Sequence, residues 1–267
     1  MSGEIVLREV DARGVATVTL NRPELHNAYN GDLIDGIAAA FGRLRGDPAV
    51  RAVVLRANGK HFSAGADLGW LRQAADFTPE QNLDFSLRTT GAMRALMEFP
   101  APTVALVHGA CFGGGTGLVA ACDIAIAGDD STFALTEVRV GVNPAPIMRP
   151  MNAAIGARQV RRYALTGERF AAAEARRIGL VHETAPREGL EAALARILDA
   201  ILRGGPQALR ETKALAFAVG NLTTDDDTVR AMASVAAKRR ASAEAREGLG
   251  AFLAKRPPAW APKGGPS

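Results

Sequence analysis

Only two cysteines, Cys111 and Cys122, occur in 267 residues. They stand in an apolar, glycine-containing region at a spacing that offers neither a metal-ligand pair nor a disulfide framework. A reducing cytoplasm is therefore the expected compartment. The four histidines, His26, His61, His108 and His182, are scattered without ligand spacing, so no metal site is expected. Aromatic residues make up 5% of the chain and leave little for nucleobases to stack on. The net charge is +4, and only Lys238-Arg239-Arg240 forms a tight basic run, so nucleic acid is not an expected partner. A mild positive excess still helps to draw in a phosphorylated small molecule. No apolar stretch approaches the roughly 18–20 residues that span a bilayer, so no membrane partner is expected. The opening MSGEIVLREVDARG lacks the basic-then-apolar order of a secretory signal. No Ser-His-Asp order and no G-x-S-x-G elbow occurs. The glycine cluster GGGTG fits neither the dinucleotide fingerprint nor the P-loop, since no lysine-serine pair follows it.

What remains is an ordinary globular composition, 48% hydrophobic and 22% charged, in a chain long enough to bury a large core. Strand and helix signals alternate through the first half. VATVTL and VRAVVLRA are β-branched runs, TVALV is a short apolar strand, and residues 122–127 read as a buried one. Residues 32–44 carry Leu33, Ile34, Ile37 and Phe41 on one helical face, and residues 79–99 read as a long helix stopped by Pro100 and Pro102. Strands separated by helices predict stacked units with largely parallel pairing. From about residue 153 the signal turns helical, over 158–165, 171–178, 190–203, 206–219 and 226–252. The tail RPPAWAPKGGPS is too rich in proline and glycine to form an element. The expected class is α/β with a helical C-terminal part.

Three places carry chemistry. In Ser63-Ala64-Gly65-Ala66-Asp67-Leu68, small residues after a strand leave backbone N–H groups able to face a ligand. Gly113-Gly114-Gly115 opens a helix, whose N-terminus presents unpaired donors and partial positive charge. One N–H from each loop would make an oxyanion hole; equally, each glycine stretch would simply permit tight packing. In Phe133-Ala134-Leu135-Thr136-Glu137-Val138, a glutamate sits among apolar residues before the turn Gly141-Val142-Asn143-Pro144. It is either a partly buried acid with a raised pKa or an exposed, salt-bridged carboxylate.

In order and spacing, HFSAGADL, HGACFGGGTGLVAACDIAIA and STFALTEVRVGVNPA resemble the enoyl-CoA hydratase/isomerase (crotonase) superfamily, as do VATVTLNRPELHNA and LTGERFAAAEARRIGLVHE. The resemblance spans about residues 5–255. It implies a crotonase-like spiral of ββα units over residues 1–200, and a C-terminal helical region, 201–267, that makes the contacts of a homotrimer or homohexamer. It implies an acyl-CoA thioester substrate, with no cofactor beyond the coenzyme A of that substrate. The oxyanion donors would be the N–H groups of Ala66 and Gly114. Ala64, Ala66, Asp67 and Leu68, with residues 24–28 up to Ala28, would cover the adenine and pantetheine, and Arg22 or Lys60 would meet the phosphates.

The family's hydratases carry two glutamates. The second falls on Glu137, and the first falls on Gly117, which cannot accept a proton. Three readings follow: a hydratase working with Glu137 alone, a Δ3,Δ2-enoyl-CoA isomerase, or an acyl-CoA-binding protein without activity. FGGGTGLVAACDIAIA and FALTEVRVGVNPA resemble the bacterial methylglutaconyl-CoA hydratase branch, which tolerates a small residue at the first position. Asn143 would either hold the reacting water or cap the turn. Arg149 would pair with a distal substrate carboxylate or stay solvated, and Met148 and Met151 would line an acyl pocket or pack in the core.

Overall fold

The computed structural model describes residues 4–74, 76–219 and 225–262. The chain first makes strands β1 (Val6–Val10) and β2 (Val15–Leu20), then helix α1 (Gly31–Arg45), then β3 (Ala52–Ala57). Helices α2 (Leu68–Ala74) and α3 (Pro79–Met97) follow. Next come β4 (Thr103–Val107), β5 (Ala110–Phe112), α4 (Gly114–Ala121), β6 (Ile124–Gly128) and β7 (Thr132–Ala134). A long helix, α5 (Met148–Thr166), leads to β8 (Phe170–Ala171), α6 (Ala172–Ile178) and β9 (Glu183–Ala185). The remaining helices are α7 (Leu190–Arg203), α8 (Pro206–Val219), α9 (Asp226–Arg240) and α10 (Ala243–Leu253).

One six-stranded sheet runs in the order β1-β2-β3-β4-β6-β9, and a three-stranded sheet in the order β5-β7-β8. In the larger sheet β1 pairs antiparallel and every other pair is parallel. The chain visits the two layers alternately. After β4 it passes through β5 into α4, and after β6 it passes through β7. The two earlier turns make the same step with single bridging residues: Ser63 pairs with Cys111, and Tyr29 pairs with Ala66, both parallel. Four successive turns of a ββα spiral therefore stack their strand-to-helix junctions side by side. Tyr29, Ala66 and Gly114 stand at three of these junctions, and Glu137 stands just past the fourth.

Burial follows the sequence periods. The α1 face Leu33, Ile34, Ile37, Phe41 and Leu44 is buried, and Asn30 caps its start by accepting from the Leu33 N–H at 3.0 Å. Thr78 and Gln81 form a capping box at α3, with Pro79 at the first helical position. The helix α7 lays Leu190, Leu194, Leu198, Ile201 and Leu202 on Val54, Val104, Leu106 and Ile126, covering the other face of the larger sheet. At the edge of that core, the Asp123 carboxylate accepts from the Thr103 N–H at 2.7 Å and from Lys213 Nζ of α8 at 2.7 Å. That partly buried pair ties the helical C-terminal part to the sheet.

The structure redraws several sequence expectations. The strand expected over 122–127 is Ile124–Gly128, because Cys122 caps the end of α4. The long helix expected over 79–99 is α3, Pro79–Met97, and the short helix α2, Leu68–Ala74, precedes it unannounced. The stretch 226–252 is also two helices: the Ser242 hydroxyl accepts from the Ala245 N–H at 3.1 Å and starts α10 afresh. The helix expected over 158–165 begins at Met148 and passes a kink at Gly156, which holds φ +72°. The tail forms no element, yet it docks: Trp260 donates Nε1–H to the Arg203 carbonyl at 3.1 Å, and Arg51 reaches the Trp260 carbonyl at 3.0 Å. Residues 263–267 of that tail lie outside the described residues. No helix among the described residues is long and apolar enough to cross a membrane.

Candidate active site

The stacked junctions open into a cleft of about 1170 Å³. Its walls come from the residues after β2 (Ala28, Tyr29), the loop Ala64–Gly69 with α2, the α3 residues Phe85, Ser86 and Thr90, Gly113 and Gly114, and the segment from Thr136 to Ile147. Trp70 and Phe85 pack ring to ring at 4.0 Å between centroids and form an apolar side.

The backbone pairing orients the amides. The Tyr29 N–H donates to the Gly65 carbonyl at 2.8 Å, and the Asp67 N–H donates to the Tyr29 carbonyl at 3.0 Å. Ala66, between those two bonds, turns its own N–H to the other side, and that amide donates to no other described residue. Gly113 donates to the Ala134 carbonyl at 2.8 Å, and the buried Thr116 hydroxyl reaches the Cys111 carbonyl at 2.8 Å. These bonds clamp the start of α4 to β5 and β7. The Gly114 N–H lies at the first helical position, where no intrahelical acceptor exists, and it too donates to no described residue. Both free amides line the cleft.

Glu137 follows β7 at the head of a short 3-10 turn, Glu137–Val140. Burial pushes its carboxyl above the ordinary glutamate range, against a smaller opposing bond from its own backbone. Its Oε2 is buried and has no hydrogen-bond partner among the described residues. The partly buried reading of this residue is thus the one the fold realises. A Cβ at Gly113, which holds φ +52°, would come within 3.1 Å of Glu137 Oε1, so the bare backbone there makes room for the acid.

Gly117 lies apart from the other expected substrate-binding residues. It is fully buried and does not line the cleft. A Cβ on it would fall 2.2 Å from Ile147 Cγ2 and 2.6 Å from Ile147 Cβ. The place of the carboxylate that the resemblance puts at position 117 is filled by Ile147, a cleft-lining residue at the entry to α5 that the sequence did not single out. Only packing between residues thirty positions apart in the chain reveals the pair.

The other residues sort as follows. Ala28, Ala64, Asp67, Leu68 and Asn143 all line the cleft, with Leu68 at an exposed rim. Arg22 faces inward: its guanidinium donates to the Ala28 carbonyl at 2.6 Å and to Asp67 at 3.2 Å. Burial pushes the Asp67 carboxyl up, but the Trp70 N–H and Arg22 outweigh it and hold it below its ordinary value. Arg22 thus braces the loop. Lys60 lines a separate pocket of about 440 Å³ with His61, Arg169 and Arg187. Asn143 accepts from the Ala145 N–H at 3.1 Å, which is the capping reading of that residue. Arg149 is 70% exposed and faces Glu98 at 3.8 Å, away from the cleft lining. Met151 is buried in the main core and Met148 packs against it.

Three of the four histidines bond the backbone through a ring nitrogen. His61 Nδ1 accepts from the Ala110 N–H at 3.0 Å, His182 Nδ1 accepts from the Ala125 N–H at 3.1 Å, and His108 Nε2 meets the Gly59 carbonyl at 3.0 Å. No group of three or more His, Cys, Asp or Glu residues placed to hold a metal occurs among the described residues. Both cysteines are free, and burial pushes both thiols far above their ordinary range.

The Gly117–Ile147 fit generates a size-swap prediction. Gly117→Ala overpacks the site and is expected to lower stability by about 1–3 kcal/mol. Ile147→Ala in the same chain should recover most of that loss, as read from urea denaturation of the single and double variants. Gly117→Glu alone should fare worse than Gly117→Ala, and equal stability of the two would show that Ile147 yields freely.

Comparison with known proteins bears on this arrangement. The family model described as Enoyl-CoA hydratase/isomerase matches residues 11–263. A Thermus thermophilus relative is 36% identical over 251 residues, covering 94% of this chain and 98% of its own. The hydroxycinnamoyl-CoA hydratase-lyase of Pseudomonas fluorescens is 34% identical over 204 residues, covering 75% of this chain and 74% of its own. The crystal structure of an enoyl-CoA hydratase from Shewanella pealeana superposes with a TM-score of 0.92 at 37% identity, covering 96% of each chain. The two-layer spiral is the crotonase fold, and the chain is an enzyme that belongs to the enoyl-CoA hydratase/isomerase family.

Proposed function

We propose that the cleft binds an acyl-CoA thioester and that the enzyme adds water across its α,β double bond, or removes it, with Glu137 as the acid–base group. One observation carries this reading: among the described residues, the cleft brings two free amides together with a single carboxylate that no other side chain holds. The only other cleft-lining acid among the described residues, Asp67, is held by Arg22 and the Trp70 N–H. In the hydration direction the thioester oxygen sits between the Ala66 and Gly114 N–H groups. Water bonds to the β-carbon, the π electrons move onto the thioester oxygen as an enolate, and Glu137 takes the water proton. The proton then passes to the α-carbon as the enolate collapses. Each amide aimed at the developing charge is worth about 3–4 kcal/mol of barrier. The chemistry needs no redox or metal partner, and coenzyme A enters as part of the substrate.

The apolar wall of Trp70 and Phe85 suits an acyl chain or pantetheine, and Ala28, Ala64 and Leu68 suit the coenzyme at the mouth. Arg72 is the cleft-lining cation among the described residues. Together with the resemblance of the glycine segment to methylglutaconyl-CoA hydratases, it favours an acyl group with a distal carboxylate. A second reading, Δ3,Δ2-enoyl-CoA isomerisation, is favoured by the same lone carboxylate, because moving a double bond needs one base. The inactive acyl-CoA-binding reading is the poorest fit, since an unpaired buried carboxylate is costly to keep without a use. Cys111, buried, and Cys122, half-buried, are both free thiols, which supports a reducing cytoplasm as the compartment.

Residues 201–267 are proposed as the oligomer-forming region of a homotrimer or homohexamer. Phe217, Val229, Leu249, Phe252 and Leu253 are exposed on its helices, which is surface of the kind that subunit contacts cover.

Glu137→Gln should lower kcat for hydration by about 10²–10⁴-fold. Activity of the parent enzyme should fall as pH drops through a pKa above the usual glutamate range, because Glu137 works ionised. The same substitution should raise the melting temperature at neutral pH. The folded-state pKa lies above the unfolded one, so ionised Glu137 is a burden above both values, and the gain should vanish near pH 4. An unaffected rate in Glu137→Gln would end the reading. Across a panel of acyl-CoA esters, 3-methylglutaconyl-CoA should be hydrated faster than crotonyl-CoA; turnover of crotonyl-CoA alone would remove the distal-carboxylate preference. Sedimentation equilibrium should give three or six subunits, and a monomer would refute the oligomer proposal.

A further inference from the structure

Adding water to a β-carbon requires the water to be held with a lone pair aimed at that carbon, so both of its hydrogens need acceptors. Glu137 supplies one. The side of the cleft from which a second carboxylate would reach is closed, because Ile147 covers Gly117. We propose that the hydroxyl oxygen of Tyr29 is the second acceptor, a catalytic group that holds the attacking water opposite Glu137. This inference rests on the hydratase reading and deepens it.

Tyr29 is placed for the role by its backbone. It lines the cleft, it bridges to Ala66, and its ring lies where a Cβ on Gly114 would be 3.2 Å from its Cε1 and Cζ. It therefore touches both of the segments that carry the free amides. Its hydroxyl faces Thr89, a fully buried side chain of α3. Thr89 spends its own hydroxyl proton on the Phe85 carbonyl at 3.0 Å. What Thr89 turns toward Tyr29 is lone pairs, so the Tyr29 O–H donates to Thr89 and its own lone pairs stay open. Glu137 Oε1 lies against Gly113 and the Tyr29 ring against the adjacent Gly114, so the two side chains share this end of the cleft, and Glu137 Oε2 is buried without a partner among the described residues. A water between the two oxygens satisfies both.

Burial raises the Tyr29 pKa and the Glu137 charge adds to it, so the phenol stays neutral at working pH. Tyr29 keeps its proton throughout. The oxygen–carbon bond forms at the β-carbon, the water proton goes to Glu137 and then to the α-carbon, and no charge is left on the tyrosine.

The test compares the parent enzyme, Tyr29→Phe, Thr89→Val and the double variant on the enoyl-CoA that the parent hydrates fastest. Binding of acetoacetyl-CoA, read by its enolate absorbance, reports the oxyanion hole separately. Tyr29→Phe keeps the ring and backbone, so kcat should fall on the order of 10- to 100-fold with KM and acetoacetyl-CoA affinity within about twofold. Thr89→Val should lose less, and the double variant should be no worse than Tyr29→Phe, because both act through one hydroxyl. A kcat for Tyr29→Phe within about twofold of the parent overturns the proposal. So does a loss of acetoacetyl-CoA affinity as large as the loss of kcat, which would make Tyr29 a brace only, and so do additive losses in the double variant. Should Tyr29→Phe not fold, Thr89→Val decides: a lowered kcat at unchanged acetoacetyl-CoA affinity supports the proposal, and an unchanged kcat overturns it. A parent enzyme that hydrates no enoyl-CoA fails the hydratase reading itself and this inference with it; an active parent beside an indifferent Tyr29→Phe fails this inference alone.

Discussion

Parallel backbone pairing between successive strand-to-helix junctions is the constraint on which the rest of the molecule depends. The bridges Tyr29–Ala66 and Ser63–Cys111 and the β5–β7 ladder bring four distant chain segments into one row. Each junction leaves the pairing layer where a helix or turn begins, so amides that cannot find an intrahelical acceptor collect at the same edge. A parallel bridge also sets direction: Tyr29 bonds to residues 65 and 67, which leaves the Ala66 amide to face the cleft.

Close approach is the second constraint. The glycine segment at the start of α4 is bare because different neighbours press on it. Glu137 lies against Gly113, the Tyr29 ring against Gly114, the Ser63 side chain against Gly115, and Ile147 against Gly117. Gly115 would put a Cβ 2.7 Å from Ser63 Cβ, which shows how tightly the second and third turns of the spiral meet. Ordering glycines costs backbone entropy, and the surrounding burial of Leu118, Val119, Phe133 and Leu135 offsets it. Glu137 is the exception to good burial: its carboxylate is desolvated and its Oε2 finds no partner among the described residues, a local cost of the kind that functional sites retain.

Much of this was legible in the chain. The alternation VATVTL, the α1 face and the α7 face are periodic over enough residues to show their state, and strands split by helices point to parallel pairing. The short elements were not legible. Thr132–Ala134, Phe170–Ala171 and Glu183–Ala185 are too brief for a period, and the edge strand Val6–Val10 has mostly exposed charged or mixed positions. The fresh start at Ser242 depends on a single capping bond, which local composition signals only weakly. Among site residues, small side chains at Ala64, Ala66 and Gly114 and the apolar surroundings of Glu137 marked the cleft. Tyr29 and Ile147 did not stand out, because an isolated tyrosine or isoleucine in a chain that is 48% hydrophobic reads as core.

By itself, the sequence determined the fold class, the glycine-opened helix, the family resemblance and the absence of a carboxylate at position 117, since each depends on residue identity and local spacing. Tertiary structure alone decided what the missing carboxylate means. It put Ile147 over Gly117, turned Arg22 inward onto Asp67, used Asn143 as a cap, and left one oxygen of Glu137 buried without a partner among the described residues. Those outcomes depend on which atoms meet across turns of the spiral separated by tens of residues, and no local pattern in a chain records such meetings.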